Sequence, residues 1–264
     1  MPTLSLGKRI VLILALVMLG IGIFVVMHPT KEIPIVPVVV APIPTPVVEV
    51  VRPEYVVIGK SVLGRNIEAY TYGEGATHLL FVGGMHGGYE WNSVLLSYEF
   101  IDFLQTNPDA IPGNLKVTII PSANPDGVFK VVGTEGRFAL ADVLNKTQPV
   151  GTGRFNAHNV DLNRNFDCKW KPKSTWRGNV VSAGTAAFSE PETVAIRDFV
   201  LEQKPTAVIF WHSQANAVYA SECKNGILPE ALAIMNAYAR ASGYTPIKSF
   251  DAYEISGDAE GWLA

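Results

Sequence analysis

The residues of this 264-residue chain that most clearly suggest chemistry are a histidine and a glutamate four positions apart, and a histidine far along the sequence. His86 and Glu90 follow an apolar run in the stretch LLFVGGMHGGYEW, and His212 follows the apolar run AVIFW. Two imidazoles and one carboxylate are a common ligand set for catalytic zinc, which keeps a fourth position open. Each residue also has an ordinary interpretation, since His212 could be a hydrogen-bonded structural residue and Glu90 a solvated carboxylate at a helix start.

The elements that must position these residues can be predicted from hydrophobic patterning. Short apolar runs bounded by turn residues indicate buried strands, and apolar residues at helical spacing indicate amphipathic helices. Strands are predicted over 77–84, 115–127 and 206–213, and helices over 91–105, 188–203 and 229–243. This alternation predicts an α/β domain with a mixed, largely parallel sheet and helices on both faces. Ligands bind at the carboxyl ends of the strands in such sheets, where His86, Glu90 and His212 fall.

Short local signals refine the boundaries of these elements. The stretch FSEPET places Ser189 three residues before Glu192, and this spacing predicts a capping box at the start of the helix over 188–203. The sequence NPDG at 124–127 is typical of a turn after the second strand. Gly243 predicts the end of the helix over 229–243.

The first 53 residues differ in composition from the rest of the chain. Residues 1–9 form a basic flank, and residues 10–27 are 18 apolar or small residues without charge, close to the minimum for a membrane-spanning helix. Residues 28–53 are rich in proline and valine, which predicts an extended linker to a domain over 54–264. We therefore expect a single-pass anchor in the cell membrane with the catalytic domain outside the cytoplasm. The alternative is a cleaved signal peptide and a secreted protein.

The overall composition argues against a nucleic-acid partner. The net charge is −3 and charged residues make up 17% of the chain, so the sequence offers no strongly basic surface. The two cysteines, Cys168 and Cys223, could pair in an exported protein, but they could equally remain as buried thiols.

Several longer motifs resemble one known family. The stretches IGKSVLGR (58–65), NPDG, GRFNAHNVDLNRNFD (153–167) and FSEPET, together with the His-Glu turn, resemble the zinc metallocarboxypeptidases of the pancreatic carboxypeptidase A and B type. The motifs stand in the family's order, and the resemblance runs from Ile58 to Ala264. It implies the zinc carboxypeptidase fold, a Zn²⁺ cofactor, and a peptide substrate with a free C-terminus that is cut at its last peptide bond.

The resemblance assigns the zinc ligands and part of the substrate site. It implies that His86, Glu90 and His212 hold the metal. The family separates the first two ligands by two residues, whereas this chain has three between them, and we expect a local bulge to absorb the extra one. Asn163 and Arg164, in DLNRNF, are similar to the pair that grips the substrate's terminal carboxylate, because a guanidinium group can bind a carboxylate through two parallel bonds.

Three further residues complete the implied site. Arg154 falls where family members carry the arginine that polarises the scissile carbonyl and stabilises its oxyanion. The segment YEISGDAEGW (253–262) matches Tyr253 to the mobile tyrosine that closes over the substrate terminus, and Glu260 to the residue at the base of the specificity pocket. A carboxylate there predicts a preference for C-terminal Lys or Arg, or for the amine-bearing end of diaminopimelate. The alternative is that Glu260 points to solvent at a helix start.

The family's catalytic glutamate comes shortly after the tryptophan that matches Trp262, and the sequence ends at Ala264. We therefore expect a C-terminally truncated zinc carboxypeptidase that acts on peptides or on cell-wall stem peptides, with its general base beyond the last residue. Two alternatives remain open. One is a non-catalytic module that binds zinc or peptides, and the other is an amide hydrolase acting on acylated amino acids.

Overall fold

The computed structural model describes residues 52–144 and 149–264, and a five-stranded mixed sheet lies at its centre. The strands of the described residues are β1 (Glu54–Lys60), β2 (Asn66–Tyr72), β3 (Thr77–Val82), β4 (Leu115–Ile120), β5 (Lys173–Trp176), β6 (Asn179–Ser182), β7 (Ala207–Phe210), β8 (Ala217–Tyr219) and β9 (Thr245–Ile247). The order in the central sheet is β1-β2-β4-β3-β7. The strands β4, β3 and β7 run parallel, and β2 pairs antiparallel with β1 and β4. Two small sheets, β5-β6 and β8-β9, accompany it.

The helices alternate with these strands along the chain. They are α1 (Trp91–Thr106), α2 (Pro125–Val132), α3 (Leu140–Leu144), α4 (Pro191–Gln203), α5 (Pro229–Ser242) and α6 (Ala259–Trp262). The described residues also contain three 3-10 turns, at Gly87–Glu90, Pro108–Ala110 and Leu162–Arg164. The predicted helices over 91–105 and 229–243 are confirmed as α1 and α5, and Gly243 ends α5 in the left-handed conformation at φ 77°.

The central sheet is covered by apolar residues on both faces. Successive side chains of a strand point to opposite faces of the sheet. On one face, Leu80 of β3 packs in one cluster with Ile196 of α4. On the other face, Phe81 packs in one cluster with Val94 and Ile101 of α1. The predicted α/β architecture, with a mixed and largely parallel sheet and helices on both faces, is therefore confirmed.

The predicted capping box before α4 is wrong. The helix begins at Pro191 rather than at residue 188, and Glu190 is its N-cap residue without a side-chain cap bond. Proline suits the first helical position, because its fixed φ matches the helix and it has no N–H to leave unpaired. The Ser189 hydroxyl instead donates to Glu190 Oε1 at 2.8 Å.

The prediction of a turn at NPDG is also wrong. The strand β4 ends at Ile120, and α2 begins at Pro125. The side chain of Asn124 accepts a hydrogen bond from Gly127 N at 2.9 Å and so caps the helix. Asparagine at the cap and proline in the first turn are a strong helix start, and the same residue types also favour turns.

The two cysteines form a disulfide between the segment that follows the 3-10 turn Leu162–Arg164 and the segment that follows β8. Cys168 and Cys223 are bonded, with their Cα atoms 5.8 Å apart. This resolves the choice between a pair and two free thiols.

Across residues 52–144 and 149–264, no helix is both long enough and apolar enough to cross a membrane. The predicted anchor at 10–27 and the predicted linker at 28–53 fall outside the described residues, apart from the last two positions of the linker.

Candidate metal centre

The loop after β3 brings His86 and Glu90 close to the neighbouring helices. A Cβ atom on Gly83 would lie 2.3 Å from Ser97 Oγ of α1, and one on Gly88 would lie 2.5 Å from Gly127 O of α2. Such approaches require glycine. The residues from Gly87 to Glu90 form a 3-10 turn, so this turn, rather than the expected bulge, accommodates the extra residue.

The structure brings the three predicted ligands together. One potential ligand atom from each of His86, Glu90 and His212 lies within 4.8 Å of the others. His212 Nδ1 is 3.0 Å from Glu90 Oε2, and the two imidazole ring centres are 5.0 Å apart. His86 and Glu90 are each only 5% exposed, whereas His212 is exposed, so the group is open to solvent on the His212 side.

Charge and burial act differently on the three side chains. Burial holds the pKa of His86 well below its usual 6.5, so this imidazole is neutral. Burial opposes ionisation of Glu90, but the neighbouring His212, which is hydrogen-bonded to it, and the Arg154 guanidinium outweigh burial and lower the pKa of this carboxyl. Burial also opposes the charged form of His212, but the carboxylates of Glu90 and Glu260 raise its pKa to about 10. A metal bound by His212 must therefore displace a proton from it.

Asp161 is a site residue to which the sequence analysis gave no role. Its Oδ2 accepts from Arg154 Nε at 3.0 Å and from Arg154 Nη2 at 2.8 Å, and it is fully buried. Its Oδ1 lies 3.5 Å from His86 Nδ1. The available signal was its position two residues before Asn163 in the DLNRNF motif. Asp161 thus binds Arg154 and lies close to the candidate ligand His86, without a hydrogen bond to it.

Arg154 is a buried residue rather than a solvated loop arginine. It is 2% exposed, and its guanidinium carbon lies 4.4 Å from the centre of the Trp176 ring and 5.7 Å from that of Tyr89. These rings and Asp161 fix the guanidinium beside the His86 and Glu90 turn. A positive charge held in this way can stabilise negative charge that develops near it.

The structure places Asn163, Arg164 and Tyr253 in one region. Arg164 is 2% exposed, donates to the carbonyl oxygens of Asn163 and Thr175, and has a buried Nε without a hydrogen-bond partner. The Tyr253 ring centre is 5.9 Å from its guanidinium carbon. Asn163 Oδ1 accepts from Ala259 N at 2.9 Å, so this side chain also holds the start of α6.

Glu260 makes a contact that the sequence analysis did not foresee. Its Oε1 lies 2.7 Å from His212 Nε2. The sequence left a choice between the base of a specificity pocket and an orientation to solvent. The structure brings this carboxylate into direct contact with a candidate metal ligand.

The donor set fits a zinc ion. Zinc binds neutral imidazoles and carboxylates, and His86 is held neutral by burial. His86 Nδ1 is a buried polar atom without a hydrogen-bond partner, and leaving such an atom unpaired is costly. Two imidazoles and one carboxylate, with His212 exposed, therefore suit a metal that also keeps an open position.

Comparisons of the sequence support the same conclusion. A model of the zinc carboxypeptidase family matches residues 51–255. The chain is 27% identical over 216 residues to gamma-D-glutamyl-L-diamino acid endopeptidase 1 of Lysinibacillus sphaericus, covering 74% of this chain and 54% of that protein. It is 29% identical over 177 residues to carboxypeptidase M of Mus musculus, covering 62% of this chain and 34% of that protein. The chain thus spans about half the length of the first relative and a third of the second.

Solved structures share the fold. The murein-tripeptide amidase MpaA of Escherichia coli O157 matches with a TM-score of 0.60 and 24% identity, covering 80% of this chain and 78% of that chain. Carboxypeptidase A of Helicoverpa armigera matches with a TM-score of 0.59 and 24% identity, covering 80% of this chain and 56% of that chain. Zinc is the metal of the matching family, and the His86, Glu90 and His212 group supplies a candidate site for it. The family match covers most of the described domain, and the chain belongs to the zinc carboxypeptidase family.

Proposed function

We propose that this protein is a zinc peptidase that recognises the free C-terminus of a peptide and removes the terminal residue. The observation that carries this proposal is the state of Arg164. It is a buried cation with an unpaired Nε, and within the described part of the chain it makes no ion pair with a carboxylate. A buried charge without a partner is costly, and a planar guanidinium group is suited to a carboxylate. The terminal carboxylate of a substrate would supply that partner.

The surrounding residues support a hydrolytic role. His86, Glu90 and His212 would hold the zinc ion, which when bound supplies a Lewis acid that polarises the scissile carbonyl and acidifies a water molecule. Arg154 lies beside this group, where its charge can stabilise the developing oxyanion. Tyr253 lies near Arg164 and would cover the bound substrate terminus.

We further propose that the terminal residue carries an amine, as in the diaminopimelate of cell-wall stem peptides. The relative from Lysinibacillus sphaericus is named a gamma-D-glutamyl-L-diamino acid endopeptidase. Glu260 places a carboxylate in the same region as Asn163, since the α6 segment that carries it is bonded to Asn163. His212 occupies one oxygen of this carboxylate, and the other could accept a bond from a substrate amine.

The carboxylate proposal can be tested with matched ligands. We expect zinc-loaded full-length protein to bind a peptide with a free C-terminus about tenfold or more tightly than the same peptide amidated at its C-terminus, because a charge-assisted bond to Arg164 is lost. Isothermal titration calorimetry measures both affinities. Arg164→Lys should reduce the difference, since lysine keeps the charge but loses the planar fork. If the unaltered protein binds the peptide with a free C-terminus and the amidated peptide equally tightly, the proposal is contradicted.

Hydrolysis and terminal-residue preference need their own measurement. Peptides that differ only in a C-terminal Lys or Leu are incubated with the zinc-loaded chain, and released amino acid is quantified with and without a chelator. We expect chelator-sensitive release and a higher kcat/KM for Lys. Binding without any release would favour the peptide-binding module, and release from acylated amino acids but not from peptides would favour the amide hydrolase.

We also propose that the domain lies outside the cytoplasm and is attached to the cell membrane through residues 10–27. The Cys168–Cys223 disulfide supports export, because disulfides persist in oxidising compartments. Fractionation of cells that express the full chain, compared with a form that lacks residues 1–27, tests the attachment. Recovery of the full chain in the soluble fraction would contradict it.

A further inference from the structure

We propose that Glu260 is a positioning residue that orients His212 for metal binding, an inference that rests on the proposed metal centre. The two ring nitrogens of His212 have separate partners. Nδ1 faces Glu90 Oε2 at 3.0 Å, and Nε2 lies 2.7 Å from Glu260 Oε1. One side of the imidazole therefore faces the other candidate ligands, and the opposite side is held by Glu260.

The chemistry of imidazole explains why this arrangement matters. A neutral histidine carries one N–H group, and only its other nitrogen can bind a metal. A carboxylate beside Nε2 favours the tautomer with the proton on that atom, which leaves the Nδ1 lone pair directed at the Glu90 side. Carboxylates in this position fix the ring orientation and increase the basicity of the metal-binding nitrogen.

The backbone that carries Glu260 is held in place from within its own helix and from a neighbouring loop. Asp258 caps α6 by accepting from Gly261 N at 2.7 Å. Ala259 N donates to Asn163 Oδ1 at 2.9 Å. These bonds fix the residues on both sides of Glu260, so the direction of its side chain follows from the fold of this segment.

The disulfide supports the same segment from another side. A Cβ atom on Gly261 would lie 2.8 Å from both Cys168 Sγ and the carbonyl oxygen of Glu222, so only glycine allows α6 to lie this close. Gly257 N also donates to the carbonyl oxygen of Cys168. The backbone that carries Glu260 is thus packed in place, although the side chains of Glu260 and His212 are each about 30% exposed.

This role differs from selection of the substrate's terminal side chain. A carboxylate that serves only the substrate would have no hydrogen-bond partner in the protein before substrate binds. Glu260 already has such a partner in His212, at 2.7 Å. Its effect on the metal should therefore be measurable when no peptide is present.

The test compares zinc affinities of full-length variants by competition with a chelating dye. We expect zinc to bind about tenfold more weakly to Glu260→Gln and up to about a hundredfold more weakly to Glu260→Ala, the range found when such carboxylate partners are removed. Glutamine keeps an acceptor for Nε2–H but not the charge. The matched control is Glu254→Gln, which removes a carboxylate from the same segment at an exposed residue that is paired with Lys171. Its zinc affinity should stay within about twofold of the unaltered protein, a difference of less than about 0.5 kcal/mol.

A spectroscopic measurement separates orientation of His212 from general loss of structure. The protein is loaded with Co²⁺, and the visible absorption of the metal is expected to change in both Glu260 variants but not in Glu254→Gln. Zinc affinity and Co²⁺ absorption that are the same in Glu260→Gln, Glu260→Ala and the unaltered protein would overturn the positioning role alone. An unaltered protein that binds no zinc would overturn the proposed metal centre, and the positioning role with it.

Discussion

The three candidate ligands make a direct prediction at the scale of single residues. We expect about one zinc ion per unaltered chain after dialysis, and a large loss of bound zinc in His86→Ala, Glu90→Ala and His212→Ala, because three protein ligands are needed for such a site. Elemental analysis of the purified proteins measures this. His158→Ala is the matched control, since His158 is bonded to Glu190 and its side chain is 57% exposed.

Among these variants, Glu90→Ala is the most informative. The spacing between His86 and Glu90 is one residue longer than the family pattern, and the 3-10 turn still brings Glu90 to His212. Full retention of zinc in Glu90→Ala would show that another group completes the site. Retention in either histidine variant would contradict the ligand set.

A histidine away from the site predicts how stability depends on pH. His78 is buried in β3, and its Nε2 lies 2.8 Å from Thr118 Oγ1. Burial, and to a lesser extent Lys116, lower the pKa of His78 below its usual 6.5. The unfolded chain therefore takes up the proton first as the pH falls. Neutral His78 therefore contributes fully to the free energy of unfolding above about pH 6.5. This contribution is lost as the pH falls from 6.5 through the pKa of His78 in the folded protein.

Chemical unfolding between pH 5 and pH 8 measures this effect. We expect the free energy of unfolding to fall below pH 6.5 in the unaltered protein, by at most about 1.4 kcal/mol per pH unit for this one proton. His78→Gln keeps a hydrogen-bonding side chain that cannot be protonated, so its curve should be flatter in this range. If the free energy of unfolding depends on pH equally in His78→Gln and in the unaltered protein, His78 does not contribute to that dependence.

At the scale of elements, three glycines bring the site together. A Cβ atom on Gly88 would lie 2.5 Å from Gly127 O, and one on Gly127 would lie 2.2 Å from Gly153 O. The turn that carries the ligands, the helix α2 and the loop before Arg154 therefore meet backbone to backbone. This close packing fixes the distance between Arg154 and the candidate ligands.

Replacement of one of these glycines should affect both stability and metal binding. We expect Gly88→Ala to lower the free energy of unfolding by about 1–3 kcal/mol, the usual cost of overpacking, and to weaken zinc binding by displacing Glu90. Thermal unfolding and zinc competition measure the two effects. Gly113→Ala is the control, because a Cβ atom there meets no atom within 4 Å. An unchanged Gly88→Ala protein would show that the contact can relax freely.

The elements themselves were largely predictable, and their junctions were not. Apolar runs located β3 and β7, and helical spacing located α1 and α5, because both patterns depend on residues close in sequence. The start of α2 was missed because Asn124 and Pro125 suit a turn as well as a helix cap. The contact between Glu260 and His212 joins residues 48 positions apart, and no local pattern reports such a contact.

At the scale of the whole molecule, the disulfide connects two distant segments of the domain. Cys168 and Cys223 are separated by 55 positions, and their bond lies against Gly261 in the segment that carries Glu260. A cross-link of this span restricts the unfolded chain, and removing such a bond typically costs about 2–5 kcal/mol. It should also loosen the support under α6.

We therefore expect two results when both cysteines are replaced by alanine. The free energy of unfolding should fall by about 2–5 kcal/mol, as measured by urea denaturation at equilibrium. The folded variant should also bind zinc more weakly, because Glu260 loses part of the framework that holds it against His212. The control is the unaltered protein treated with a phosphine reductant, which should behave as the double variant does. Lower stability with unchanged zinc affinity would mean that the hydrogen bonds from Asn163 and Asp258 hold α6 without help from the disulfide.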